Sequence, residues 1–271
     1  MRAAEIVWAW IAAIAVVSAV STAVVLSDTR FDGAQIAVVG SSLMLHAIPP
    51  SGLNRDAVLG DGRSHRRIGV RSISEKELLS LAARALDERA ALVLLEVNPL
   101  IRDFPGPDDE SCTDWLTSLR TTVHLKRRAI AGATRRALGL AAREPAMAEA
   151  IGLDERSTQI ERQLALHYPL HLREPRCRQE LNRIVAAAHR QGAQVVLVLP
   201  PRSNTAHAYL GQSQAVELEL RARRLAHELG TPLFDAGSPW PDHEFVDHAH
   251  LASSGRERFL RELRHWWRRH P

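Results

Sequence analysis

Two stretches of the chain carry side chains whose types and spacing suit nucleophilic acyl chemistry. The first is Gln35-Ile36-Ala37-Val38-Val39-Gly40-Ser41-Ser42-Leu43-Met44. A β-branched apolar run ends on a glycine, two serines follow, and a new apolar segment begins at once. That is the pattern of a buried strand, a tight turn and a helix start. Reactive groups in open α/β sheets sit just past the carboxyl ends of strands, so Ser42 is a candidate nucleophile. A serine hydroxyl is a poor nucleophile alone; it needs a base, and the base needs an orienting group. The second stretch, Phe245-Val246-Asp247-His248-Ala249-His250-Leu251, offers both. At a spacing of three, the Asp247 carboxylate reaches back to one ring nitrogen of His250 and leaves the other facing outward as a base. His248 competes for that role, but alternation points it away from whatever His250 faces.

Alternating strands and helices must position these groups. Ala91–Val97 is a continuous apolar run, as in a central parallel strand covered on both sides, and Asn98-Pro99 ends it. Gln194–Leu199 is a second such run, stopped by Pro200-Pro201. Arg67–Val70 and Pro232–Asp235 read as short strands, and Ala47–Arg67 as a long Pro- and Gly-rich surface loop. Ser74 and Glu77 form a capping box that starts a helix running to about Arg89. Further helices are expected over Arg178–Arg190, from about Gln214 to Leu229, and from about Ser254 to Trp267, the last fixed by a Ser254–Glu257 capping box. From about Cys112 to Cys177 the pattern is helical and amphipathic, without a convincing strand. The alternation implies a mostly parallel sheet with right-handed crossovers and helices on both faces. A helical insertion over about 105–178 interrupts it.

Residues Ile6–Ser27 contain no charge. As a helix they would extend about 33 Å, enough to cross a hydrocarbon core. Trp8 and Trp10 stand at the leading end, where interface aromatics belong. The run is too long for the apolar core of a cleaved signal peptide, and no small-x-small cleavage site follows it. Residues 1–27 therefore read as an uncleaved membrane anchor, with residues 28–271 on the extracytoplasmic side.

The chain has 271 residues and a formal net charge of +4, with arginine the dominant cation. Arg261, Arg264, Arg268 and Arg269 read as solvated helix faces; no zinc-finger spacing or basic-aromatic interleaving points to nucleic acid. The histidines His124, His167 and His171 are scattered without metal-ligand spacing, so no metal and no cofactor are expected. Cys112 and Cys177 are too few for a disulfide framework. They pair or remain two thiols; sequence does not place their Cα atoms.

Taken together, Gly40-Ser41-Ser42-Leu43, Asn98 at a strand end, and Asp247-x-x-His250 followed by Leu251-Ala252-Ser253-Ser254-Gly255 resemble the SGNH (GDSL-like) hydrolase family. The resemblance covers roughly residues 34–104 and 180–270. It implies a three-layer, flavodoxin-like α/β sandwich. Ser42 is then the nucleophile, in preference to Ser41, with His250 the base and Asp247 its partner. The Ser42 N–H, the Asn98 amide and a second-block glycine, best matched by Gly69, bind the oxyanion. Two positions depart from the family pattern: Ser41 stands where the name motif has Asp, and Glu96-Val97-Asn98-Pro99 stands for Gly-x-Asn-Asp. Gly-Ser-Ser variants resemble membrane-anchored members acting on cell-envelope polymers.

The function expected is thus a serine esterase or O-acyltransferase. It would be held by one helix in the bacterial inner membrane, with its domain in the periplasm, and act on acyl esters of an envelope or exopolysaccharide carbohydrate. The alternative is a catalytically weak accessory subunit of the same fold that binds polysaccharide or a membrane acyltransferase partner.

Overall fold

Five runs of aliphatic and β-branched residues form one sheet in the computed structural model: β1 (Ile36–Gly40), β2 (His65–Gly69), β3 (Leu92–Glu96), β4 (Gln194–Leu199) and β5 (Leu233–Asp235). The structure describes residues 31, 33–50, 57–69, 73–103, 112, 161–162, 164–165, 168 and 170–270. The strands run in the order β2-β1-β3-β4-β5, and every pairing is parallel. The sheet is thus parallel throughout the described residues, not mostly so. After β2 the chain crosses back over β1 to lay down β3, so strand order reverses between β1 and β3. Ligand crevices in open α/β sheets form outside the carboxyl ends of strands at that reversal.

Alternation along each strand sorts its side chains onto two faces. Ile36, Val38, Leu92, Leu94, Val196, Val198 and Phe234 pack with Met44 of helix α1 (Ser42–Ala47) and with a helix near the C-terminus, through Phe259, Leu260 and Leu263. Ala37, Val39, Val93, Leu95, Val195 and Leu197, equally buried, face the other way. Helices α2 (Glu75–Asp87) and α4 (Arg178–Arg190) contact each other as well as the strands β1, β3 and β4. Between them in sequence lies the short α3 (Asn98–Ile101). After β4 come α5 (Asn204–Leu210) and α6 (Gln212–Leu229). A 3-10 turn at Asp242–Glu244 and α7 (Ser253–Trp267) close the chain.

Most expected elements appear at or within a few residues of their expected bounds, including the Ser74–Glu77 capping box. The Ser254 cap does not form. Helix α7 starts after Ala252, with no side-chain cap. Its entry is set by packing instead: the Ala252 N–H donates to Glu244 O at 2.9 Å, and a Cβ on Gly255 would lie 2.2 Å from that same oxygen. Helices α3 and α5 are additions that the sequence pattern did not announce.

The cysteine question resolves as a bond. Cys112 and Cys177 form a disulfide with Cα atoms 5.4 Å apart, within the usual range. One arginine also differs from expectation, while Arg261, Arg268 and Arg269 are exposed as expected. Arg264 is not a solvated helix residue; it donates to Val58 O and Ala57 O. Residues 1–27 and most of the expected insertion at 105–178 lie outside the described residues. Among the described residues no helix is long and apolar enough to cross a membrane.

Candidate active site

The site is built at the β1–α1 turn. Gly40 is glycine because a Cβ there would lie 2.4 Å from Met44 Cγ and 2.8 Å from Glu96 Oε2. That close approach lets the chain turn directly from strand into helix. Ser41 is the N-cap: its backbone is extended and its Oγ accepts the Leu43 N–H at 3.1 Å. Ser, Thr, Asp and Asn are favoured there because they satisfy one of the helix-start N–H groups. Ser41 is 2 % exposed, so its hydroxyl is spent on structure. Ser42, one residue on, begins the helix and presents its Oγ outward, 2.8 Å from His250 Nε2. The turn itself separates the two serines.

His250 Nδ1 lies 2.7 Å from Asp247 Oδ2. The other carboxylate oxygen, Oδ1, accepts the backbone N–H groups of Ala249 at 2.8 Å and His250 at 2.7 Å. The Asp-x-x-His spacing thus closes a local turn whose carboxylate also orients the ring. Burial pushes the Asp247 carboxyl up, but the bond from the His250 ring, its charge and the two N–H donors outweigh it. They hold the group far below the ordinary carboxylate range. The His250 side chain keeps 23 % of its surface, so the hydroxyl–imidazole pair is reachable from solvent. His248, the competing base, is buried with its ring 6.3 Å from the Tyr168 ring.

Arginines pin the short helix that carries Ser42. Arg67 of β2 donates to Leu45 O and Ile48 O. Arg256 of α7 donates to His46 O at 2.9 Å. These bonds answer carbonyls at the end of α1 that have no partner within the helix. His46 itself packs against the base, with ring centroids 4.6 Å apart.

Asn98 opens α3 at the carboxyl end of β3, beside the nucleophile turn, and is 5 % exposed. Its Nδ2 donates to Glu96 Oε1 at 3.2 Å, and Glu96 Oε2 accepts the Ser41 N–H at 2.6 Å. One carboxyl therefore joins the two turns that flank the strand-order reversal. Gly69 pairs with Gly40 across the sheet. A Cβ at Gly69 would lie 2.4 Å from Leu45 Cγ and 3.0 Å from Ser41 O, so close packing of α1 on β2 accounts for the glycine. The structure brings Ser42, His250 and Asp247 into one hydrogen-bonded line and sets Asn98 and Gly69 on the same edge.

Sequence reasoning missed Glu96, Arg67, Arg256 and His46. Only Glu96 gave a local signal, as a lone carboxylate closing an otherwise apolar strand. Among the described residues no group of His, Cys, Asp or Glu side chains is arranged to hold a metal. Comparison with protein-family models, curated proteins and solved structures found no match to this chain.

Proposed function

We propose that the chain is a membrane-anchored serine esterase or O-acyltransferase of the SGNH type. It acts through an acyl-enzyme on acyl esters of a cell-envelope or exopolysaccharide carbohydrate. The observation that carries this reading is the continuous line from Ser42 Oγ to His250 Nε2 at 2.8 Å and from His250 Nδ1 to Asp247 Oδ2 at 2.7 Å. In this scheme Ser42 Oγ attacks the ester carbonyl while its proton passes to His250 Nε2. Asp247 holds the ring in the tautomer that can accept it and stabilises the imidazolium. The tetrahedral oxyanion is met by the Ser42 N–H and the Asn98 Nδ2, with the Gly69 N–H as the third donor carried over from the family resemblance. His250 then returns the proton to the leaving alcohol, and the acyl group stays on Ser42 as an ester. Water or a sugar hydroxyl, deprotonated by His250, attacks that ester and frees the serine. Hydrolysis and transfer use the same groups.

The location belongs to the same proposal. Residues 1–27 anchor the chain, and the domain lies on the periplasmic side of a bacterial inner membrane. The Cys112–Cys177 disulfide supports that side, because such bonds persist in oxidising compartments.

The test is turnover of p-nitrophenyl acetate by the purified full-length protein, with fluorophosphonate labelling followed by mass spectrometry. Ser42→Ala is expected to lose about 10⁴-fold or more in kcat and all labelling. Undiminished activity in Ser42→Ala overturns the proposal.

A further inference from the structure

Glu96 is fully buried, with 0 % of its surface exposed. A carboxyl in that position is expensive unless its oxygens are hydrogen-bonded, and both are. Oε2 accepts the Ser41 N–H at 2.6 Å, and Oε1 accepts Asn98 Nδ2 at 3.2 Å. The space for Oε2 exists because Gly40 has no Cβ. Nothing in the acyl-transfer scheme uses this carboxyl, yet it is hydrogen-bonded to both the nucleophile turn and Asn98.

From this geometry we infer that Glu96 is a positioning residue acting through Asn98, an inference that rests on the acyl-transfer reading above. The Ser41 N–H anchors one carboxyl oxygen; the other dictates which end of the Asn98 amide faces inward. An asparagine amide can present oxygen or nitrogen to a neighbour, and the hydrogen-bond network decides between them. A carboxyl oxygen beside it selects Nδ2. One Nδ2 hydrogen is then held by Glu96, and the other is aimed by the planar geometry of the amide. Preset donors of this kind matter because they cost no reorganisation when the oxyanion develops. Burial pushes the Glu96 carboxyl up, against the Ser41 and Asn98 bonds and the Arg102 charge that favour ionisation. Ionised, or protonated on Oε2, the carboxyl keeps Oε1 as an acceptor for the amide.

A double-mutant cycle tests this on the full-length chain with p-nitrophenyl acetate. Glu96→Gln can offer Asn98 an N–H in place of an acceptor, so the amide is free to turn over. It is expected to lower kcat at least tenfold with KM within threefold of wild type. In the Asn98→Ala background the same substitution is expected to cost less than threefold, because the amide it orients is gone. Equal costs in the two backgrounds, or no cost in either, overturn the inference. A second measurement does not depend on turnover or on any variant folding. In the nitrogen-15 spectrum of wild type, one Asn98 Nδ2 proton should be shifted downfield and exchange slowly with solvent. An Asn98 amide whose two protons keep the shifts and the fast solvent exchange of a free asparagine side chain overturns the inference. A wild-type protein without Ser42-dependent turnover overturns the acyl-transfer reading, while the amide spectrum still decides the role of Glu96.

Discussion

The rings of His46 and His250 lie 4.6 Å apart, tilted by 46°. Two imidazoles that close cannot both carry charge cheaply, and His250 must become imidazolium in the proposed reaction. His46 is the one kept neutral. Its pKa is lowered first by burial and next by the charge of His250, with Arg256 adding to the effect and Asp247 opposing it. Its Nδ1 is buried without a hydrogen-bond partner, so a proton placed there would have nothing to bind. The linkage sign follows. In the unfolded chain His46 takes up a proton near its ordinary value of 6.5, whereas in the folded chain it resists until lower pH. The unfolded state therefore binds more protons below pH 6.5, and stability falls as pH drops through that window. Urea unfolding at pH 7.5 and 5.5 reads this. His46→Phe is expected to have a shallower loss between the two pH values than wild type; an identical loss would rule out His46 as a contributor.

Arg67 holds the end of the nucleophile helix through Leu45 O and Ile48 O. Hydrogen bonds from a charged donor are worth about 1.5–3 kcal/mol each in net terms. Arg67→Met keeps the stem and removes both bonds, so a stability loss of about 3 kcal/mol or more is expected in denaturant titration. The kcat on p-nitrophenyl acetate should fall too, because α1 carries Ser42. Arg67→Lys has one ammonium in place of a fork and should restore only part of the loss. Unchanged stability in Arg67→Met would show that the clamp contributes nothing.

The disulfide joins positions 65 apart in sequence. In the chain-entropy view, closing a loop of that size in the unfolded state contributes about 4 kcal/mol. The bond meets the described fold at a fixed point. Cys177 N–H donates to Glu75 Oε1 at 2.9 Å, and Glu75 is also paired with Arg173 at 2.7 Å. Reduction, or Cys112→Ala with Cys177→Ala, is expected to lower the melting temperature by several degrees. A melting temperature indifferent to reductant would show that the cross-link carries no stability.

What the sequence made legible is what is local. Arg178–Arg190 and Gln194–Leu199 fall where their hydrophobic periods end, since Gly192 and Pro200 punctuate them. The Asp247–His250 contact follows from a spacing of three within one turn. Ser42 to His250 spans 208 positions, and only the chemical need of a serine for a base, with the family pattern the two blocks resemble, linked them in advance. Arg264 was misread, and the roles of Arg67 and Arg256 were missed, because a charge that clamps a distant carbonyl looks the same in sequence as one that faces water. The capping pattern at Ser254 failed for a tertiary reason, the approach of Glu244 O to Gly255. Most telling are Ser41 and Glu96, which in sequence are two separate departures from the pattern the chain resembles. In the fold they touch at 2.6 Å, so each makes sense only beside the other.

Asp247 offers the sharpest test of the proposed chemistry, because its two oxygens do different jobs. Oδ1 takes the Ala249 and His250 N–H groups and shapes the turn; Oδ2 faces His250 Nδ1. Asp247→Asn can keep the first job through its amide oxygen, which leaves its NH₂ group against Nδ1. Nδ1 must then be the acceptor, and the proton moves to Nε2, where it cannot receive one from Ser42. The variant should therefore fold normally yet lose about 10⁴-fold in kcat, the cost of a wrong tautomer. It should also change the acid limb of stability. The wild-type carboxyl is held well below its ordinary 3.8, so its contribution is present above that value and lost as pH falls beneath it. Asn has no such titration, and its stability should decline less steeply below pH 4. Steady-state kinetics at neutral pH and acid unfolding of the two proteins read both effects. An Asp247→Asn protein with wild-type kcat would mean that His250 is not the base for Ser42.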